Sequence, residues 1–292
     1  MTPDTNTELK QELTTLIEIV ETTAAWLPGV SAPHQGLHEK SGVADFVTSH
    51  DLEMQRQLEA ALSAAFPAAS FLGEEGVKNA PAAIRQAMDG TAGLFIVDPI
   101  DGTSNFVYGY KHSSVSVALI RGGEPVLAVV YNPWLSETFA AARGQGSFCR
   151  DRVGTRPCRP SSVPLDRAII LYGSTPYYRD LIVPGYRLLQ TLHLQGRDMR
   201  RSGSAALDLC YIASGRGDLF FELRLQAWDY AAGLLICREA GAVVTDAFGG
   251  SPVLPHASSI IAGNPLVQPA AIKVIRELGI DEAVRISEQS SR

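Results

Sequence analysis

The spacing of apolar residues changes twice along this chain, and that change limits its architecture more than any other feature. Over residues 8–26, Leu9, Leu13, Leu16, Ile17 and Val20 recur at intervals of three and four, the stripe of an amphipathic helix, and Pro28-Gly29 stops it. A second helix is predicted from near Asp51, carrying Leu52, Leu58 and Leu62, to about Phe66-Pro67. From residue 70 the interval drops to two. Apolar runs at 70–72 and 94–97 each end in acids, and 113–120 alternates with Val115, Val117 and Leu119 on one face. Arg121-Gly122-Gly123-Glu124 reads as a hairpin turn into 126–131, with 138–142 following, so the middle third is expected to be a largely antiparallel sheet. Strand patterns at 168–172, 219–222, 243–245 and 260–262 then alternate with helical ones at 186–194, 204–214, 228–240 and 265–278. Such alternation implies a layered α/β fold.

Residues 28–43, rich in Gly, Pro, His and Ser, read as a mobile loop, and 77–92 as a long irregular one. The Pro- and Arg-rich stretch 154–164 is the best internal boundary. It divides a single module, 1–292, into an N-terminal α+β half of about 1–153 and a C-terminal α/β half of about 165–292.

Charge narrows the function. Asp plus Glu number 31 against 25 Lys plus Arg, a net charge of −6, which argues against a phosphate-neutralising groove and hence a nucleic-acid partner. No run of 18 apolar residues suggests a membrane span, and the polar first ten residues do not resemble a signal peptide, so a cytoplasmic protein is expected. Cys149, Cys158, Cys210 and Cys237 lack metal-ligand spacing, and the two in apolar helix-like stretches read as buried free thiols. The six histidines form no paired motif and read as surface or structural residues. No Gly-x4-Gly-Lys-Ser/Thr loop is present, and Arg143-Gly144-Gln145-Gly146 lacks the third glycine of a dinucleotide fingerprint.

The acids themselves are the informative charges. The apolar run 94–97 delivers Asp98 and Asp101 to the turn Asp98-Pro99-Ile100-Asp101-Gly102-Thr103, where two like charges at close quarters call for a cation. A hard divalent ion such as Mg²⁺, with oxygen ligands, fits that need. Thr103, Ser104, Asn105 and Phe106 could open a short helix whose free N–H groups face an anion. An ordinary surface turn would use the same Asp, Pro and Gly. Two further sites weigh against it. Gly73-Glu74-Glu75 again follows an apolar run, although Glu75 by itself reads as a solvated loop residue. Trp228-Asp229 stands at a helix start, where an N-cap or helix-dipole role is the alternative.

These three segments, in this order, resemble the inositol monophosphatase family of Mg²⁺-dependent, lithium-sensitive phosphatases. Asp98-Pro99-Ile100-Asp101-Gly102-Thr103 is similar to its first signature, and Trp228-Asp229-Tyr230-Ala231-Ala232-Gly233 to its second. Lys40-Ser41, Asp45-Phe46-Val47-Thr48, Asp51, the stretch from Gly203 to Leu209, and Phe221-Glu222 extend the likeness over most of 8–278. The resemblance implies an αβαβα sandwich of the inositol monophosphatase and fructose-1,6-bisphosphatase type, and a homodimer. It implies that Glu74, Asp98 and the Ile100 carbonyl hold one Mg²⁺, that Asp98, Asp101 and Asp229 hold a second, and that a third, weaker ion lies near Glu74. Thr103, with Asp51 behind it and Glu74 alongside, would orient and deprotonate the attacking water. The N–H groups of Gly102 and Thr103 would hold the phosphate, and Asp101, Gly203, Ser204, Ala205, Glu222 and Asp229 would contact the rest of a small-molecule phosphate monoester.

Inositol 1-phosphate is the first substrate that the resemblance implies; Glu222 can accept hydrogen bonds from ring hydroxyls, which favours a polyol without selecting a cyclitol. 3′-Phosphoadenosine 5′-phosphate, fructose 1,6-bisphosphate and histidinol phosphate are alternatives on the same machinery, and a non-catalytic regulatory protein is a third class. Departures from the commoner pattern, Gly76, Ser104, Tyr108 and Lys111-His112, bear on substrate choice and leave the metal ligands intact.

Overall fold

In this computed structural model the described residues are 3–30, 38–42, 45–75 and 81–290. The expectations for 31–37, 43–44 and 76–80, including Gly76 and half of the mobile loop, lie outside them. Helix α1 (Pro3–Ala24) buries the predicted stripe of Leu9, Leu13, Leu16, Ile17 and Val20. The short strand β1 (His38–Gly42), within the stretch expected to be a loop, pairs antiparallel with β2 (Asp45–Val47) just beyond it. Helix α2 (Ser49–Ala65) begins at a capping box: the Thr48 hydroxyl accepts from the Asp51 N–H, and the Asp51 carboxylate accepts from the Thr48 N–H. Its inward residues are Met54, Leu58 and Leu62, four apart, whereas Leu52 is half exposed because it lies off that row.

The first sheet has seven strands side by side in chain order: β3 (Ser70–Gly73), β4 (Leu94–Asp101), β5 (Ser114–Arg121), β6 (Glu124–Asn132), β7 (Glu137–Ala142), β8 (Ser147–Asp151) and β9 (Gly154–Pro157). All pairs are antiparallel except β3 with β4. A parallel pair needs a crossover, and α3 (Pro81–Asp89) lies in it. The stretch expected to be irregular therefore contains a helix; Ile84, Ala87 and Met88 pack its apolar side on the core. Strand β9 occupies the start of the expected boundary, so the first sheet runs to Pro157. A single-turn α4 (Thr103–Val107) follows β4.

The second sheet takes β10 (Ile169–Tyr172), β11 (Asp198–Arg200), β12 (Leu219–Leu225), β13 (Val243–Thr245) and β14 (Ser258–Gly263) in the spatial order β11-β10-β12-β14-β13. Around it lie α5 (Arg179–Gln195), α6 (Ala205–Ala213), α7 (Ala227–Ala240), α8 (Gln268–Glu277) and α9 (Ile280–Ser290). Helix α5 starts earlier than its apolar pattern predicts, with Pro184 inside it. Gly279 ends the expected closing helix at φ +64°, yet α9 follows and buries Ile280 and Val284.

Alternation along the strands sorts the core into layers. Phe95, Val97, Val117 and Leu119 face α1 and α2. Ile96, Ala118, Ile120 and Val130 face the other way, onto α6 and α7, which also cover Phe220, Ile260 and Ala262 of the second sheet. Ile170, Phe221, Leu223 and Ile261 meet α5, α8 and α9. The result is the expected αβαβα sandwich. All four cysteines are buried free thiols, two more than the helical pattern predicts.

Candidate active site

Residues three apart on a regular strand face opposite sides of a sheet. Strand β4 escapes this: Asp98 opposes Ser116 and Asp101 opposes Ser114, so three steps on β4 match two on β5. The bulge brings both carboxylates to the side of α6 and α7. There Asp229, from the first turn of α7, joins them, and one oxygen from each of the three lies within 4.8 Å of the others. The helix-start role for Asp229 also holds, since its Oδ2 accepts from the Gln226 N–H at 2.7 Å. One carboxylate serves both purposes.

Glu74 arrives from the neighbouring strand. Its N–H donates to the Val97 carbonyl at 3.1 Å, continuing the parallel pairing past β3. Gln55 of α2 brackets the next residue, accepting from the Glu75 N–H at 2.8 Å and donating to its carbonyl at 2.7 Å. Glu75, expected to be solvated, is buried by this arrangement.

Asp101 also ties the two sheets together. It accepts from the Ser204 hydroxyl, the Ala206 N–H at 3.0 Å and the Ala205 N–H at 3.3 Å, at the N-terminus of α6. Gly102 must follow it: its φ is +85°, and a Cβ there would stand 2.9 Å from the Gly203 carbonyl oxygen. The Thr103 hydroxyl lies 3.1 Å from the Ile100 carbonyl and 3.4 Å from Asp51 Oδ1. The other Asp51 oxygen accepts from the Thr48 N–H at 2.9 Å and from the Thr48 hydroxyl, so the α2 capping box fixes the acid that reaches Thr103.

Burial, followed by the charges of Glu74, Asp101 and Asp229, holds the Asp98 carboxyl well above the usual range. Asp229 is raised by burial and then by Glu74 and Asp101. Burial also lifts Asp101 to about 6, against the hydrogen bonds from Ser204, Ala206 and Ala205. None of the three forms an ion pair with a described residue within 4.0 Å. A second acidic group, Glu137, Cys149 and Asp151, differs in this respect: Arg216 pairs with Glu137 at 2.5 Å, Arg156 with Asp151 at 2.7 Å, and burial pushes the Cys149 thiol up to about 12. Uncompensated, oxygen-only donors fit a hard divalent cation; the neutralised group does not.

These carboxylates line one wall of a cleft of about 580 Å³ that also takes in Gly102, Thr103, Gly203, Ser204, Ala205 and Glu222. All the side chains expected at the site therefore line one cavity, except Asp51, which stands behind Thr103. Glu222 accepts from the Thr175 N–H at 2.9 Å, and burial raises its carboxyl to about 7. A Cβ on Gly173 would fall 1.8 Å from Glu222 Oε2, so the backbone itself makes room for that carboxylate.

The sequence drew no attention to Arg201, Arg224 and Tyr178, and placed Thr48 and Asp208 in matching segments without a role. Asp208 is buried, with Oδ1 lacking a hydrogen-bond partner among the described residues, and burial raises its carboxyl well above normal. Arg224 stands two residues past Glu222, where the pairing of β12 with β14 shifts, and no sequence signal marks that shift.

With this geometry in place, comparison with known proteins is specific. The model of the inositol monophosphatase family matches residues 8–279. An inositol-1-monophosphatase of Rhizobium meliloti is 43% identical over 242 residues, covering 80% of this chain and 84% of that protein. The Nus factor SuhB of Vibrio cholerae is 36% identical over 242 residues, covering 82% and 86%. The solved structure of a Thermotoga maritima IMPase superimposes with a TM-score of 0.81 at 32% identity, covering 94% of this chain and 99% of its own.

Proposed function

This chain belongs to the inositol monophosphatase family, and from that premise we propose that it is a Mg²⁺-dependent hydrolase of phosphate monoesters with inositol 1-phosphate as the first substrate to test. The observation that carries this reading is the convergence of Asp98, Asp101 and Asp229 within 4.8 Å, beside Glu74, the three aspartates forming no ion pair with a described residue. Those four carboxylates and the Ile100 carbonyl would hold two or three Mg²⁺. Bound Mg²⁺ supplies a nucleophilic water at neutral pH and neutralises the phosphate and the leaving oxygen.

The chain's own residues do the rest. Asp51 holds the Thr103 hydroxyl at 3.4 Å, so that Thr103 orients the attacking water and Glu74 and Asp51 receive its proton. The N–H groups of Gly102 and Thr103, at the turn after β4, hold phosphate oxygens. Glu222 and the Gly203 to Ala205 backbone accept and donate to hydroxyls of the leaving group. Glu222 is set back by Gly173, which leaves a ring space in front of the cluster. In the same reading the chain is one module of two halves, since one apolar core draws on both sheets. It is a cytoplasmic homodimer, and light scattering tests the dimer.

Phosphate release from inositol 1-phosphate, fructose 1,6-bisphosphate, 3′-phosphoadenosine 5′-phosphate and histidinol phosphate, with Mg²⁺, tests the proposal. Release should stop in excess chelator and fall with Li⁺. Turnover that survives chelation refutes the metal mechanism, and no release from any substrate favours a non-catalytic role. Two arginines in the cleft, Arg201 and Arg224, favour the second reading, a doubly phosphorylated substrate on the same machinery.

A further inference from the structure

Glu222 shares its wall of the cleft with a cation that lacks a counter-ion among the described residues. Strand β12 is bulged between Glu222 and Leu225, and Arg224 lies inside that bulge, lining the cleft. Its guanidinium carbon is 5.1 Å from the centre of the Tyr178 ring, and Gln226 fixes that ring by donating to the phenol oxygen at 2.9 Å. Arg224 Nε and Nη1 are buried with no hydrogen-bond partner among the described residues, and no described carboxylate pairs with the side chain. Burying a cation against water is unfavourable, and an aromatic face offsets only part of that cost. Arg201, exposed at the same cleft, donates from Nε and Nη2 to Ser174 Oγ at 3.3 and 3.1 Å.

We infer that Arg224, seconded by Arg201, receives a second phosphate of the substrate, so that the preferred substrates are polyols carrying one phosphate at the carboxylate cluster and another at the β12 wall. This rests on the hydrolase reading and deepens it. The scissile phosphate has no need of Arg224, because its charge is met at the β4 end by the cations held there. A planar, permanently charged guanidinium suits phosphate oxygens, and its partial desolvation strengthens the attraction. Glu222 beside it selects against placing the second anion nearer the ring.

Matched pairs test the inference: inositol 1-phosphate against inositol 1,4-bisphosphate, and fructose 1-phosphate against fructose 1,6-bisphosphate, all with Mg²⁺. The parent protein should favour the bisphosphate of each pair in kcat/KM, chiefly through KM. R224M should lower that ratio about tenfold or more, the loss expected for one charged hydrogen-bonding group. R224K should keep most of it, and R201M, at an exposed position that tolerates change, should lower it in the same direction by a smaller factor. A parent ratio near one, or folded R224M and R201M that leave the ratio intact, overturns the inference. If no phosphate is released from any member, the hydrolase reading falls. Titration calorimetry on the same pairs then decides the inference separately, since equal affinities for mono- and bisphosphate would sink it.

Discussion

At the edge of the cleft, β4 and β12 carry the same local device: three steps on the strand match two on its antiparallel neighbour, between Asp98 and Asp101 in one and between Glu222 and Leu225 in the other. Their charges differ. The β4 bulge presents two acids facing a third from α7 and a fourth after β3, with no described cation paired to the central three. The β12 bulge presents one acid, hydrogen-bonded to the Thr175 N–H, and one cation against an aromatic ring. Identical backbone geometry thus serves two tasks. Concentrated like charge at β4 suits a metal ion, whereas mixed charge at β12 suits hydroxyls and an anion directly. A bulge thus decides where side chains point, and the residue types decide what they recognise.

In the proposed reading β4 carries the chemistry and β12 the recognition, and each strand has its own test. D98N should reduce Mg²⁺-dependent phosphate release by about 10³-fold or more, with a weakened Mg²⁺ requirement, if charge at β4 carries the reaction. D51N, which leaves the cluster but loosens Thr103, should lower kcat by about 10²-fold with little change in KM. At the other strand, E222Q and G173A should raise KM by about tenfold while the half-saturating Mg²⁺ concentration stays put. If either β12 change costs as much in kcat as D98N, the division between the strands fails.

The smallest effect is on stability. Burial raises Asp101 from 3.8 to about 6 and Glu222 from 4.5 to about 7. A raised carboxyl favours the fold while protonated, so its contribution is complete below about pH 4 and is lost as pH rises through the folded values, about 6 and about 7. In excess chelator the melting temperature should therefore fall by a few degrees between pH 5 and pH 8. Mg²⁺ should abolish the part of that fall due to β4 and leave the part due to Glu222. A chelated protein whose melting temperature is flat or rising over that range contradicts the assignment.

The β4 acids were legible in the sequence because an apolar run ending in Asp-Pro-Ile-Asp-Gly has few folded solutions, and Asp229 because an acid at a helix start has a defined place. The bulge that aligns Asp98 with Asp101 was not, since register depends on what the partner strand does at Ser114 and Ser116. Arg224 was hidden for the same reason: its exposure to the cleft follows from a pairing shift with β14. The helix α3 was obscured by polar residues around a three-residue apolar stripe, and β9 by prolines and arginines that suit an edge strand as well as a linker. Asp51 was placed by resemblance; the physical reason for its position is the Thr48 capping box, a pattern visible in the sequence as Thr48-Ser49-His50-Asp51.

The hydrogen bond from the Ser204 hydroxyl to Asp101 spans 103 residues of chain. At ribosomal rates of about 5–20 residues per second, the partner of Asp101 is synthesised roughly 5–20 s after Asp101 itself. Throughout that interval the acids of β4 can have neither α6 nor α7 against them, because neither helix yet exists. In the proposed reading, cation affinity is accordingly acquired only once α7 has been made, and Mg²⁺ binding reports the joining of the two sheets and not a finished first sheet alone.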